Sequence, residues 1–302
     1  MAARWSALVL AAQLLLAAAL AVALAAVSAL KPLVIGTLIV AELCGIALLL
    51  ASAPLALGRS LAPGEPFSGR LGHLLRALCG DALALEVALG RMALEPCRAS
   101  PDSATAAGPR FPQPVLLVHG IGCSCAIWRP LLARLRAAGV GPVRAVSLEP
   151  LFADIEAYAT DLLAELEALA ARGGDRTVSI VAHSMGGLVA RAALRRARPG
   201  LIGRIITLGA PHHGTALACR FRWPNTRQMC PGSSWLAALN ACQEGRLDIP
   251  MTTLYSLDDN YIAPAESARF LGARTIELQG LGHLSLLDSK RVLEHVMSEL
   301  LS

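Results

Sequence analysis

The sequence predicts an α/β protein with a doubly wound, mostly parallel sheet of about six strands, preceded by N-terminal transmembrane helices. From residue 113 onward, short apolar runs alternate with segments of helical spacing. These runs are apolar at consecutive positions, which is typical of parallel strands buried on both faces. Before residue 59, two long runs contain almost no charge. The first two observations predict the sheet, and the third predicts the membrane helices.

The composition excludes two classes of protein. Of the 302 residues, 55% are apolar and 16% are charged, and the net charge is +5. A soluble domain is typically about one quarter charged, so the apolar excess must be concentrated somewhere. A disordered chain would be far less apolar, and a nucleic-acid-binding chain would be far more basic. We therefore expect no nucleic-acid partner.

Most of the excess lies in the first 59 residues. Residues 6–30 carry no charge, and Glu42 is the only acidic or basic residue in 33–58. Lys31 and Pro32 separate the two runs, and each run exceeds the ~20 residues that a membrane-spanning helix needs. The pattern predicts a membrane anchor of two transmembrane helices over 1–59. A cleaved signal peptide is the alternative for the first run.

Basic residues near these runs suggest an orientation. Arg4 precedes the first run, Lys31 lies between the two, and Arg59, Arg70 and Arg76 follow the second. The positive-inside bias therefore favours both ends, and with them the following domain, on the cytoplasmic side.

Residues 60–112 are predicted to form a linker. Pro63, Gly64 and Pro66 open it, and residues 100–112 are rich in Pro, Ser, Thr and Ala. Between them, residues 71–93 have the pattern of an amphipathic helix that lies either on the membrane or on the following domain.

The predicted sheet domain covers residues 113–302. Six runs have the length and composition of strands: residues 114–119, 143–148, 177–182, 204–208, 251–256 and 273–278. Four segments have helical spacing: residues 128–138, 153–171, 186–196 and 289–300. Such a domain is large enough to bury a core without disulfides.

One strand-to-helix junction carries a serine at the turn. Ser184 has small residues two positions before and after it, Ala182 and Gly186. A nucleophile elbow needs this arrangement, because bulky flanking residues would collide with the neighbouring strand or helix. The same pentapeptide is also compatible with a simple Ser-Gly turn that opens a helix.

A second loop favours the elbow. LLVHGIG ends the first predicted strand in a glycine-containing loop at residues 116–122. The backbone N–H groups of Ile121 and Met185 would together form an oxyanion hole beside Ser184.

Three ordered motifs resemble the lipase and esterase branch of the α/β-hydrolase family, in particular bacterial triacylglycerol-lipase-like proteins. They are PVLLVHGIG with Trp128 beyond it, VAHSMGGLVAR, and ITLGAPHHGT at residues 206–215. The resemblance covers residues 113–302. It implies the α/β-hydrolase fold, hydrolysis of an ester or lipid substrate, and no cofactor. With the apolar runs, it implies a protein of the bacterial inner membrane.

The family's order of serine, acid and histidine points to the other two catalytic residues. In the family's acid loop, an Asp precedes an apolar residue by three positions and a Pro by five. Counting back from Ile262 and Pro264 selects Asp259, with Asp258 as the alternative acid or as a cap of the turn. His283, in a loop before the last helix, is the predicted general base. The predicted mechanism is an acyl-enzyme formed on Ser184.

Other residues suggest secondary roles. His119 and His183 are expected to shape the turns, and His212 and His213 to border the site. Residues 214–250 offer only a minimal cap, with Trp223, Trp235 and a short helix over 234–241.

The eight cysteines include no CxxC pair, so no structural zinc site is expected. Cys219, Cys230 and Cys242 share one loop-rich segment. They could form a disulfide if the domain faces an oxidising space, and otherwise remain free thiols.

Two further readings stay open. An acyltransferase would use the same triad with a different acceptor. A noncatalytic, membrane-tethered binding module could have the same fold.

Overall fold

The structure is a computed structural model that describes residues 67–94, 111 and 113–302. The predicted membrane hairpin over 1–59 lies outside the described residues. None of the helices in the described part of the chain is long and apolar enough to cross a membrane.

The predicted parallel sheet of six strands is confirmed. The strands are β1 (Val115–Val118), β2 (Val143–Val146), β3 (Val178–His183), β4 (Ile202–Leu208), β5 (Met251–Ser256) and β6 (Arg274–Leu278). They are ordered β2-β1-β3-β4-β5-β6, and every neighbouring pair is parallel. The order reverses at β1, so the loops after β1 and β3 leave the same edge of the sheet on either side of a crevice.

Helices connect the strands. They are α1 (Phe67–Leu94), α2 (Arg129–Ala137), α3 (Ile155–Arg172), α4 (Met185–Arg196), α5 (Pro224–Gln228), α6 (Ser234–Gln243) and α7 (Lys290–Leu301). The helices predicted at 128–138, 153–171, 186–196 and 289–300 are observed as α2, α3, α4 and α7, with ends shifted by a few residues. The short helix α5 was not predicted, because its sequence PNTRQ lacks an apolar period.

Two apolar layers cover the sheet, one on each face. Helices α3, α4 and α6 pack on one face, and α1, α2 and α7 pack on the other. Along β1, Leu116 points into the first layer and Leu117 into the second, as the two-residue period of a strand requires. The continuous apolar runs of the sequence therefore reflect burial on both faces.

Helix α1 belongs to the second layer. The sequence predicts that this helix lies either on the membrane or on the following domain. In the structure it lies on the following domain. Ala77, Ala84 and Ala88 are buried on one side of the helix. Leu83, on the opposite side, is 67% exposed.

The segment between β4 and β5 forms the small cap. A disulfide joins Cys219 to Cys230, whereas Cys242 is free and exposed. Helices α5 and α6 lie in this segment, and Asn225 Nδ2 of α5 donates a hydrogen bond to Leu151 O in the loop after β2. The cap is thereby attached to the edge of the sheet where the strands end.

Candidate active site

Ser184 lies in the turn between β3 and α4 with a left-handed backbone. Its φ is 54° and its ψ is −127°, a conformation that costs energy in any residue with a Cβ. The Ser184 N–H donates to Leu208 O of β4 at 2.9 Å. The side chain is nearly buried, with 8% of the residue exposed. The turn thus has the backbone strain that the sequence motif predicts.

Glycines after Ser184 allow α4 to begin close to the sheet. A Cβ at Gly186 would lie 2.6 Å from the carbonyl oxygens of both Val118 and His119. A Cβ at Gly187 would lie 2.5 Å from the Cβ of Ala210. Any larger residue at these positions would displace the helix that carries the N–H of Met185.

The loop after β1 lies directly against Ser184. A Cβ at Gly120 would be 2.7 Å from the Ser184 Cβ. Within the described residues, no hydrogen bond uses the backbone N–H of Ile121 or of Met185 as its donor. Neither of the two predicted oxyanion donors is therefore paired within the described residues.

His119 fixes this loop. Its Nδ1–H donates to Gly120 O at 2.7 Å, and its Nε2 accepts from the Leu148 N–H at 2.9 Å. This pattern requires the neutral imidazole. Burial lowers the pKa of His119, consistent with that form. His119 shapes the turn, as expected from the sequence.

The structure brings Asp259 and His283 together. His283 Nδ1 lies 2.8 Å from Asp259 Oδ2, and each residue is only 2% exposed. Asp259 Oδ1 accepts from the N–H groups of Tyr261 and Ile262, both at 2.9 Å. With Nδ1–H donating to the carboxylate, Nε2 of His283 is the nitrogen left to accept a proton.

Asp258 has a different partner. Its Oδ2 accepts from the N–H of Gly280 at 2.6 Å, and its own N–H donates to Ser256 Oγ at 3.2 Å. The structure therefore gives Asp258 the turn-capping contact that the sequence left as its other role.

The electrostatic environment favours protonated His283. Burial alone would lower the pKa of His283. The Asp259 carboxylate, its hydrogen bond and the Asp81 carboxylate outweigh burial and hold that pKa above its usual range. The imidazolium that forms when a base accepts a proton would be stabilised here.

Side chains from other parts of the chain bind the loop that carries His283, between β6 and α7, which we call the histidine loop. Asn260 Oδ1 accepts from the His283 N–H at 3.0 Å, and His183 Nε2 donates to His283 O at 3.2 Å. Asp81 of α1 accepts from the backbone immediately after His283. We did not predict Asn260 or Asp81. The sequence signal for Asp81 was a lone acid on the helix face that also carries Ala77, Ala84 and Ala88.

Residues adjacent to Ser184 in the chain and in the sheet lie close to the Asp259–His283 pair. The His183 ring lies 4.6 Å from the His283 ring. Gly209 follows the residue that binds the Ser184 N–H, and a Cβ there would lie 3.0 Å from Asp259 Oδ2 and 3.2 Å from His283 Nδ1. Within the described residues, Ser184 Oγ makes no hydrogen bond to His283. Such contacts often form only once a substrate is bound.

The two histidines predicted to border the site, His212 and His213, differ in burial. His212 is fully buried, with Nε2 3.1 Å from Thr207 Oγ1 and Nδ1 3.4 Å from Arg191. Burial, with the nearby Arg191 charge, places the pKa of His212 well below its usual value. His213 is partly exposed and lies 3.5 Å from Glu244. Across residues 67–94, 111 and 113–302, no group of three or more His, Cys, Asp or Glu side chains could hold a metal ion.

Comparison with known proteins gives the fold. A family model described as a domain of unknown function, DUF7379, matches residues 93–227. Among curated proteins, none matches the sequence of this chain. Lipase BlEst2 of Bacillus licheniformis in its mature form is 20% identical with a TM-score of 0.55, and the match covers 65% of this chain and 93% of that one. Lipase B of Aspergillus fumigatus is 18% identical with a TM-score of 0.53, over 63% of this chain and 52% of that one.

These similarities, the parallel six-stranded sheet and its strand order establish the α/β-hydrolase fold. The chain spans about half the length of the Aspergillus lipase. At these identities the similarity concerns the fold alone.

Proposed function

We propose that this chain is a serine hydrolase that cleaves carboxylic esters through an acyl-enzyme on Ser184. The observation that carries the proposal is the buried Asp259–His283 pair, with its 2.8 Å contact, on the same sheet edge as a strained serine turn. Packing of this loop does not require a buried histidine that is paired with a carboxylate. Acyl transfer does require one, because the base must be held and its positive charge stabilised.

Each residue has a defined role in the proposed reaction. His283 Nε2 takes the proton of Ser184 as Oγ bonds to the ester carbonyl carbon, and Asp259 stabilises the resulting imidazolium. The N–H groups of Ile121 and Met185 bind the oxyanion. His283 then returns the proton to the leaving alcohol as the ester bond breaks. Water, deprotonated by His283, releases the acid and restores Ser184.

An exposed apolar surface on the cap and the loop after β2 favours lipid esters as substrates. Trp223 of the cap is 39% exposed and stacks on Phe152 with ring centroids 3.9 Å apart, and Leu151 is 41% exposed. Arg222 and Arg227 are exposed next to this stack. Large apolar side chains that stay exposed suit an apolar substrate or a lipid surface.

We also propose membrane attachment through residues 1–59, on the basis of their uncharged runs. For the side of the membrane, two observations favour opposite answers. The excess of arginines after the second run favours the cytoplasmic side. The Cys219–Cys230 disulfide favours an oxidising space. A reporter fused to the C-terminus distinguishes the two sides.

The test of the chemistry is Ser184→Ala in the full chain, purified in detergent because of the apolar N-terminal runs. We expect loss of ester turnover and loss of covalent labelling by a serine-reactive phosphonate. A variant that keeps both would disprove the role of Ser184. Wild-type labelling without hydrolysis, together with ester formation on an added alcohol, would favour the acyltransferase. A wild-type chain with neither labelling nor turnover would favour a noncatalytic module.

A panel of esters of increasing chain length, with and without a lipid interface, tests the substrate class. Preference for long chains at the interface supports lipid esters. Activity confined to short dissolved esters contradicts them.

A further inference from the structure

Helix α1 brings a carboxylate against the loop of the proposed base. Asp81 Oδ1 accepts from the backbone N–H groups of Leu284 at 2.7 Å and Ser285 at 2.8 Å. It also accepts from Ser285 Oγ at 3.1 Å. These residues stand about two hundred positions later in the chain than Asp81, so the contact is made only in the folded domain.

The loop is adapted to receive this side chain. Asp81 is 1% exposed, and a Cβ at Gly282 would lie 2.5 Å from the Asp81 carboxyl carbon. Only glycine at position 282 leaves room for so close an approach. The residue between Gly282 and Leu284 is His283, so Asp81 is in contact with the chain on both sides of the proposed base.

The second carboxylate oxygen shows that anchoring alone does not explain this residue. Asp81 Oδ2 is buried, and it has no hydrogen-bond partner within the described residues. A neutral acceptor would hold the loop equally well without the cost of burying a charge. The charge itself therefore needs an explanation, and His283 is the nearby group that would benefit from it.

We propose that Asp81 is a positioning residue for His283, which the helix preceding the catalytic domain supplies to the active site. Its carboxylate fixes the main chain around His283 and adds a second negative charge near the imidazole. The candidate site is therefore incomplete without α1. This inference rests on the proposed function of His283.

Docking of the helix supports the same arrangement. Ala84 and Ala88 of α1 are buried in the apolar layer shared with α2 and α7. One turn of the helix further on, Arg91 forms an ion pair of 2.8 Å with Asp288. The helix therefore meets the chain after His283 at two separate points.

Several titratable groups face this pair. The Asp259 carboxylate contacts His283 Nδ1, the His183 ring lies 4.6 Å from the His283 ring, and the Tyr261 ring lies 4.9 Å from it at a tilt of 31°. Burial raises the pKa of Asp81 to about 6, although the Ser285 bonds and His283 oppose the rise. Burial raises the pKa of Tyr261 well above its usual value, and it lowers the pKa of His183 well below its usual value. Both side chains are therefore neutral near pH 7.

Cys123 completes this set, because burial raises the pKa of its thiol to about 12. The Asp81 charge therefore varies near His283 between pH 5 and 8.

The first test is Asp81→Asn, measured as the pH dependence of kcat/KM for a short dissolved ester. Asn keeps an acceptor oxygen for the loop but removes the charge. Loss of a nearby negative charge lowers the pKa of His283, and a general base must be neutral, so activity should extend to lower pH. We expect the acidic limb to move down by about half a pH unit or more. A purely structural anchor would leave the limb where it is.

The second test is Asp81→Ala, with Leu83→Ala as its control on the exposed side of the same helix. The alanine at 81 leaves two buried N–H groups without an acceptor and frees the loop. We expect kcat to fall by about 10- to 100-fold with little change in KM, because a displaced base affects the chemical step more than binding. Leu83→Ala should match the wild-type chain in both constants.

Melting temperatures show which variants are folded. If neither Asp81 variant folds, Ser285→Ala is the alternative, because it removes only the hydroxyl that donates to Asp81. Loss of that bond raises the pKa of Asp81, so less negative charge lies near His283. The acidic limb of the pH profile should then move down by a smaller amount than in Asp81→Asn. The proposal is overturned if folded Asp81→Asn or Ser285→Ala keeps the wild-type pH profile, or if folded Asp81→Ala keeps the wild-type kcat. If instead the wild-type chain shows no Ser184-dependent hydrolysis, the proposed function fails first.

Discussion

The turn that carries Ser184 is held by its own strand, its own helix and the two adjacent strands, whereas the loop that carries His283 is held by side chains from distant parts of the chain. Around Ser184, the controlling features are backbone contacts and glycines. Gly186 lies against the end of β1, and the Ser184 N–H pairs with the end of β4. These contacts follow once parallel strands pair in this order.

The histidine loop depends on single hydrogen bonds instead. Asp259 and Asn260 come from the loop after β5, His183 comes from β3, and Asp81 comes from α1. Each bond involves one side chain that no backbone pattern requires. The difference indicates that the serine turn is sensitive mainly to added volume at its glycines, and that the histidine loop is sensitive in addition to the loss of single side chains.

The largest expected effect is on the histidine side, in Asp259→Asn. The amide keeps the shape of Asp259 but can no longer hold the Nδ1–H tautomer of His283 with a charge. We expect kcat to fall about 10³- to 10⁴-fold, as is typical when the acid of such a triad is neutralised. Turnover of a short dissolved ester measures this effect.

Asp258→Asn is the matched control, because Asp258 contacts Gly280 and not His283. It should change kcat far less. A comparable loss in both variants would mean that the two carboxylates act on the loop as a structural unit, and that Asp259 has no separate role as the acid.

On the serine side, the largest expected effect comes from added volume, in Gly186→Ala. The new Cβ would lie 2.6 Å from two backbone carbonyl oxygens, which cannot turn away as a side chain would. We expect a loss of about 2–3 kcal/mol of stability and a fall in kcat of about 10-fold or more, since α4 carries the Met185 N–H. Thermal melting and ester turnover measure the two losses.

Gly90→Ala in α1 is its control, because a Cβ there meets nothing within 4 Å. Alanine favours the helix over glycine by up to ~1 kcal/mol, so this variant should be as stable as the wild type or more stable. If Gly186→Ala behaves in the same way, the serine turn is less tightly packed against β1 than the structure indicates.

The difference between the serine turn, held by local backbone contacts, and the histidine loop, held by distant side chains, explains how much of the site could be predicted. Ser184 and the loop of Ile121 stand in short motifs whose residue types follow from local backbone geometry. The six strands were predictable because two-sided burial leaves continuous apolar runs. Asp259 and His283 were selected through a resemblance to a family and not through local geometry.

Asn260 and Asp81 could not be predicted, because what they bind is the backbone of a loop far away in sequence. A backbone N–H leaves no trace in the residue types around it. The short helix α5 was missed for a related reason. Its polar residues are buried by contacts with the loop after β2 and with the start of α3. Asn225 Nδ2 donates to Leu151 O in that loop, and Gln228 Oε1 accepts from the Ile155 N–H of α3 at 2.8 Å.

A smaller effect is expected from Asn260→Ala, which leaves Asp259 and Asp81 in place. The N–H of His283 loses its acceptor, and a buried unpaired N–H costs about 1–3 kcal/mol. We expect kcat to fall about 10-fold, because the loop can shift by a fraction of an ångström. Ala182→Gly, two positions before Ser184 at the end of β3, should change kcat much less. Equal losses in the two variants would contradict the difference between the serine turn and the histidine loop.

The smallest effect on turnover is expected from the double variant Cys219→Ser, Cys230→Ser. The disulfide closes a short loop in the cap, and neither cysteine is among the residues to which we assign a role in the site. Removing it should lower stability by about 2–3 kcal/mol through the entropy of the unfolded chain. Turnover of a short dissolved ester at a temperature where the variant stays folded should equal that of the wild type, because the site is held by the sheet, by α1 and by the loop after β5. A fall in kcat as large as that of Asn260→Ala would mean that the cap also supports the site, in addition to the sheet, α1 and the loop after β5.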